Sequence, residues 1–267
     1  MLLAVDTSAV ASAAVLDGER VLASATSGDP RRHAEVLQPL VEQVLAEAGV
    51  ERRGLSGVVT GVGPGPYTGL RVGMAAALVT GLALDLPVHG VCSLDGLALA
   101  AWRGGVVPGT GERLGVATDA RRREVYWASY AGADGGPRRV AGPGVGAAAD
   151  IADEAAAWVG PGVDLYADHL PAAPQPAHRR RRAADAPSTS ARRRRSAGDG
   201  GSGAADSRRS AGSGALAAWV GLVAAEALAG RGALPLVPVE PLYLRRPDAV
   251  ALADRTPPPL PTAAVPS

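Results

Sequence analysis

A strand hairpin that opens into alternating helices and strands predicts an α/β fold for this 267-residue chain. The hydrophobic content of 47% is enough for a real core. Leu2 to Asp6, Ser12 to Leu16 and Arg20 to Ala25 read as three short strands, and Asp17-Gly18 supplies the left-handed turn of a tight hairpin.

The helices and strands that follow each have their own signal. Val36, Leu37, Leu40, Val41, Val44, Leu45 and Ala48 recur at three- and four-residue intervals, which predicts an amphipathic helix ending at Gly49. Gly57 to Gly61 reads as a short buried strand, and a helix is expected from about Thr68 to Leu84. Pro87 to Cys92 reads as another strand, after which Ser93 can cap a helix through about Ala101 with Asp95 in its first turn. Leu114 to Thr118 and Glu124 to Tyr130 read as paired strands around an arginine turn. Apolar periodicity is lost from about 171 to 214, and a helix resumes from Ala215 to Leu228. The expected divisions are an N-terminal α/β half over 1–105, a second half over 106–250 interrupted by a disordered stretch at 171–214, and a Pro-rich tail over 251–267.

All 27 basic residues are arginine. With no lysine, the phosphate-binding loop lysine, Schiff-base chemistry and a lysine general base are excluded. Residues 178–214 hold ten arginines against three aspartates, and the remainder holds 17 arginines against 23 acids. The basic stretch reads either as an arm that follows nucleic-acid phosphates or as a surface insertion, and the absence of aromatics for base stacking favours the insertion. Cys92 is the one cysteine, so no intramolecular disulfide forms, and the compartment expected is the cytoplasm. No apolar run reaches the length expected of a membrane span, and the N-terminus lacks the basic start of a signal segment.

The stretch GVGPGPYTGLRVG, residues 61–73, raises the question of a phosphate cradle. Its glycines miss the dinucleotide spacing, and Pro64 and Pro66 remove two of the donors that an anion would need. Beyond it, Gly69, Gly73, Ala77 and Gly81 repeat every four residues on one helical face. Glycine costs about 1 kcal/mol per helix position relative to alanine, so this stripe implies close contact with either the chain's own sheet or another subunit's helix. The opposite face, with Leu70, Met74, Leu78, Leu82 and Leu84, is apolar too, so burial on two sides is expected. Asp6, Thr7 and Ser8 end the first strand with an acid and two hydroxyls, a turn that can orient a metal-bound water and phosphates or serve as a plain strand end. His33, His89, His169 and His178 include no pair at metal-binding helical spacing, and neither a metal site nor a cofactor is expected.

VDTSAVASAAVL, RHAEVLQPLVEQVLAEAGV, GVGPGPYTGLRVGMAAALVTGLALDLPVHGVCSLDGLALA, TDARRREVYWASY and PVEPLYLRRPDA together resemble the bacterial TsaB (YeaZ) family, densely over 1–131 and again over about 215–248. That resemblance implies an actin- and hexokinase-like fold of two pseudo-repeated halves, the second shortened. It implies a non-catalytic dimerisation subunit of the complex that forms N6-threonylcarbamoyladenosine at position 37 of ANN-decoding tRNAs. The partners implied are a TsaD-like transferase subunit, a TsaE-like ATPase, a second copy when alone, and tRNA through the complex. The metal histidines of TsaD fall at Ser93 and Leu97 here, so no catalytic residue is expected. The implied partner interface comprises Leu37, Leu40, Val41, Val44, Gly69, Leu70, Gly73, Met74 and Ala77, with Asp6, Thr7 and Ser8 as a degenerate nucleotide-type loop. On this reading Gly73→Leu would abolish pairing and spare the fold. A glycoprotease-like peptidase and a stand-alone nucleotide-binding protein are the alternatives. The family continues with ordered structure where residues 170–214 here turn arginine-rich.

Overall fold

The computed structural model describes residues 1–29, 32–174 and 215–244. The expected disordered stretch lies, from 175 onward, outside the described residues, as does the Pro-rich tail.

Two sheets share the work of building the core. The first has the order β3-β2-β1-β4-β5, formed by β1 (Leu2–Asp6), β2 (Ser12–Asp17), β3 (Arg20–Thr26), β4 (Gly57–Gly61) and β5 (Val88–Val91). β1, β2 and β3 run antiparallel, as their short connections require, whereas β4 and β5 join in parallel after helical crossovers. The second sheet has the order β8-β7-β6-β9, from β6 (Leu114–Asp119), β7 (Glu124–Ala133), β8 (Gly136–Ala147) and β9 (Ala157–Val159). β8 was not foreseen in the sequence, because its glycines and Pro143 mimic a loop. Its edge position leaves room for a residue with no N–H.

Alternation along β1 decides which helices cover which face. Leu3 and Val5 point into a cluster with Leu37, Leu40, Val41 and Val44 of α1 (His33–Ala48) and Ala77 of α2 (Tyr67–Leu84). Ala4 points the other way, into a cluster with Leu94, Ala98 and Leu99 of α3 (Ser93–Arg103) and with the last helix, α5 (Leu216–Leu228). The same cluster takes in Val116, Ala128 and Tyr130 of the second sheet, so α3 and α5 lie in a core common to both sheets. A short helix, α4 (Pro161–Leu165), closes the far face of that second sheet with Trp158 and Leu170.

The sequence assigns α5 to the second half, yet it packs on β1, β2 and β4 of the first sheet. Gly221 permits this, since a Cβ there would press into Leu16 and Ala4. After α5 the chain crosses back as a strap. Val237 N–H donates to Gly90 O at 2.9 Å, Leu242 N–H donates to Val62 O at 2.9 Å, and Val237, Val239 and Leu242 cover Val62, Leu70 and Met74.

Candidate functional site

The turn after β1 is closed by its own neighbours. Asp6 is fully buried; its Oδ1 accepts the Ser8 N–H at 2.9 Å and the Ser8 hydroxyl at 2.7 Å, and its Oδ2 accepts the Ser93 hydroxyl at 2.6 Å. Burial pushes the Asp6 carboxyl above its usual range, against the pull of these donors. Ser93 Oγ in turn accepts the Gly63 N–H at 3.2 Å. The glycine loop therefore spends this donor inside the protein, and Gly65 packs on the Ser8 backbone so closely that a Cβ would sit 2.6 Å from Ser8 O. A Cβ on Gly61 would overlap Asp6 Oδ2. These contacts make the turn a clasp that ties β1 to the loop before α2 and to the start of α3.

Thr7 extends the clasp along α2. Its hydroxyl donates to Gly69 O at 2.7 Å and accepts the Gly73 N–H at 3.1 Å. A Cβ on Gly69 would lie 2.8 Å from Thr7 O, and one on Gly73 would overlap Thr7 Oγ1. The stripe of small residues thus admits the strand end of the same chain. Of the interface residues expected from the sequence, Leu37, Leu40, Val41, Val44, Leu70, Met74 and Ala77 are at most 9% exposed, and Gly69 and Gly73 are buried with them. All nine face the interior of this chain, which corrects their placement on a partner surface and the expectation that Gly73→Leu spares the fold.

What α2 leaves open is a different stripe. Arg71, Ala75, Leu78, Leu82 and Asp85 are exposed, with Leu78 at 47% and Leu82 at 86%, and Val79 beside them is 64% exposed. The helix is therefore buried on one side only. It is long and apolar enough by composition to cross a membrane, at a mean hydropathy of 1.4, but its glycine face is fitted to β1 and Thr7. At its N-terminal end, Tyr67 stacks on Tyr243 of the strap with ring centroids 4.7 Å apart, and the Arg71 guanidinium lies 4.0 Å from the Tyr67 centroid. Arg71 Nε–H donates to the Tyr243 hydroxyl at 2.9 Å. Exposed apolar area of this kind, gathered on one helix, marks an interaction surface.

The comparisons with known proteins agree on a family. The model for TsaD, tRNA N6-adenosine threonylcarbamoyltransferase, matches residues 21–167, more than half of the chain. The solved structure of YeaZ from Pseudomonas aeruginosa is 35% identical, covers 65% of this chain and 81% of its own, and superposes with a TM-score of 0.56. The chain belongs to the TsaB (YeaZ) family. Escherichia coli TsaB, a tRNA threonylcarbamoyladenosine biosynthesis protein, is 33% identical over 129 residues, which are 48% of this chain and 54% of that protein. An uncharacterized protein of Mycobacterium tuberculosis is 40% identical over 242 residues, 90% of this chain and 85% of its own. The chain thus spans about half the length of the E. coli TsaB it matches and most of the mycobacterial relative.

Within this TsaB-family fold, a further polar cluster joins the two sheets. Asp95 is buried on α3, and its Oδ1 accepts the Tyr130 hydroxyl at 2.8 Å and Arg139 Nη1–H at 3.2 Å, from β7 and β8. Its Oδ2 is buried with no partner among the described residues. Desolvation raises the Asp95 carboxyl to about 6, while Arg139 and Tyr130 pull it down. Burial pushes the nearby Cys92 thiol up to about 12, so Cys92 is held as an unreactive thiol. Sequence reasoning saw Asp95 only as a first-turn acid. Its partners stand 35 and 44 residues away, and nothing local announces them.

Proposed function

We propose that this TsaB-family chain is a non-catalytic, cytoplasmic subunit of the machinery that makes N6-threonylcarbamoyladenosine on tRNA, and that it holds a TsaD-like transferase subunit on the open face of α2. The observation that carries this reading is the exposed stripe of Leu78, Val79 and Leu82 on a helix whose other side is locked to its own sheet. A rigid helix that presents large apolar side chains loses little order when it docks. The closed clasp at Asp6 supports a scaffold role, because its carboxylate oxygens and the Thr7 hydroxyl already have partners within the chain. In this role the chain stabilises the transferase subunit, and a TsaE-like ATPase and tRNA join through the complex that the two form.

Light scattering on a sizing column, with this chain mixed with its TsaD-like counterpart, tests the proposal. A 1:1 complex is expected for the wild type. Leu82→Asp is expected to weaken it roughly 100-fold, as loss of a central apolar anchor does, with the melting temperature unchanged. An unaltered complex with Leu82→Asp would remove α2 from the interface, and the absence of any wild-type complex would overturn the scaffold role.

A further inference from the structure

The open stripe of α2 carries a second regularity. Arg71, Ala75, Leu78, Leu82 and Asp85 follow one another at spacings of four, three, four and three residues. This is the seam spacing of paired helices that pack knobs into holes. The two charged ends of the seam have the sign that the helix dipole disfavours. Arg71 stands near the N-terminal end, and Asp85 is the C-terminal cap, with no basic residue in the last turn. Neither makes an ion pair within 4.0 Å among the described residues. Arg71 is also oriented, since Tyr243 takes its Nε–H and Tyr67 lies under its plane, so its two terminal amino groups remain for a carboxylate.

One arrangement satisfies all of these features together. If a second α2 lies antiparallel on the first, with the twofold axis at Leu78, residue 71 of each chain faces residue 85 of the other. Ala75 then faces Leu82, a small side chain against a large one, and each helix end meets a dipole of opposite sign. We propose that Arg71 and Asp85 fix the direction and register of an antiparallel α2 pair between two copies of this chain, each Arg71 receiving the other copy's Asp85. The proposal rests on the docking face argued above and specifies its self-complementary occupant. Tyr243 has a part in it, because the strap holds the arginine fork in place.

The test uses sedimentation equilibrium on the full chain and on Arg71→Glu, Asp85→Arg and Leu82→Asp, with melting curves to show that each is folded. The wild type is expected to dimerise, and each charge reversal alone should weaken the dimer at least about tenfold, since each puts two like-charge contacts in the seam. An equimolar mixture of Arg71→Glu and Asp85→Arg chains should recover near wild-type association, because the mixed dimer contains two opposite-charge contacts. If Leu82→Asp abolishes the dimer while the charge reversals change nothing, the register is overturned and the docking face stands. A wild type that stays monomeric while still binding the transferase subunit overturns the antiparallel pair alone. Dimerisation indifferent to Leu82→Asp overturns the face as well.

Discussion

Thr7 holds Gly73 by its backbone: the Thr7 hydroxyl accepts the Gly73 N–H at 3.1 Å while donating to Gly69 O at 2.7 Å. A side chain at 73 cannot enter without separating α2 from β1. Gly73→Ala is therefore expected to lower unfolding free energy by roughly 2–4 kcal/mol, as overpacking and a lost buried hydrogen bond together would. Gly73→Leu is expected to prevent folding. Urea titration of Gly73→Ala checks the first, and an unchanged midpoint would show that the clasp yields freely.

Ser93 is the other end of the same clasp, through its contacts with Asp6 Oδ2 and the Gly63 N–H. Ser93→Ala leaves a buried carboxylate oxygen and a buried donor without their partner. The expected cost is about 2–3 kcal/mol, read as a shift of the urea midpoint with no change in slope. The variant should still bind the transferase subunit at low temperature, because the open face of α2 is remote in role from the clasp.

Much of this architecture was legible in the sequence, for reasons that differ between elements. β1 to β5 and α1 to α3 follow from alternation, turn residues and helical periodicity. The direction that α2 faces does not, because the helix carries both a small-residue stripe and a leucine stripe, and either one can meet a sheet. What decides it is Thr7, whose hydroxyl reaches the backbone of α2 only where side chains are absent. Leu70 and Met74 then go under the strap, whereas Leu78 and Leu82 remain outside. That strap was hidden as well, since Val237 and Leu242 pair with residues far earlier in the chain. Such long-range choices depend on packing that no local pattern records.

Asp95 makes stability depend on pH. Its carboxyl is raised from an ordinary 3.8 to about 6 in the fold, so the native state binds the proton more tightly than the unfolded chain does. Its contribution is complete below about pH 4 and is lost as pH rises through about 6, up to roughly 2–3 kcal/mol at one unit of pH per 1.4 kcal/mol. Asp95→Asn removes that slope while keeping a side-chain acceptor for Tyr130. Urea unfolding at pH 4, 5, 6 and 7 is expected to show the wild type losing stability relative to Asp95→Asn across this window. Parallel curves would mean that Arg139 keeps Asp95 ionised throughout.

Arg103 ties α3 to α5 and to the β2–β3 turn, where its guanidinium meets Glu226 and lies 2.8 Å from Glu19, and Arg231 reaches Glu19 from the other side at 2.6 Å. The members are not equal, because the Glu226 side chain is 9% exposed and that of Glu19 is 35% exposed. Removing the cation thus strands one nearly buried carboxylate, and Arg103→Leu is expected to destabilise by about 3 kcal/mol. Arg103→Leu combined with Glu226→Leu should recover most of that loss, since the stranded charge goes with its partner. An exposed pair such as Arg32 with Glu35, each more than half exposed, serves as the control, and Arg32→Ala should change stability by less than about 0.5 kcal/mol. Equal effects at Arg103 and Arg32 in a thermal melt would mean that water reaches Glu226 and that the network adds no more than a surface pair.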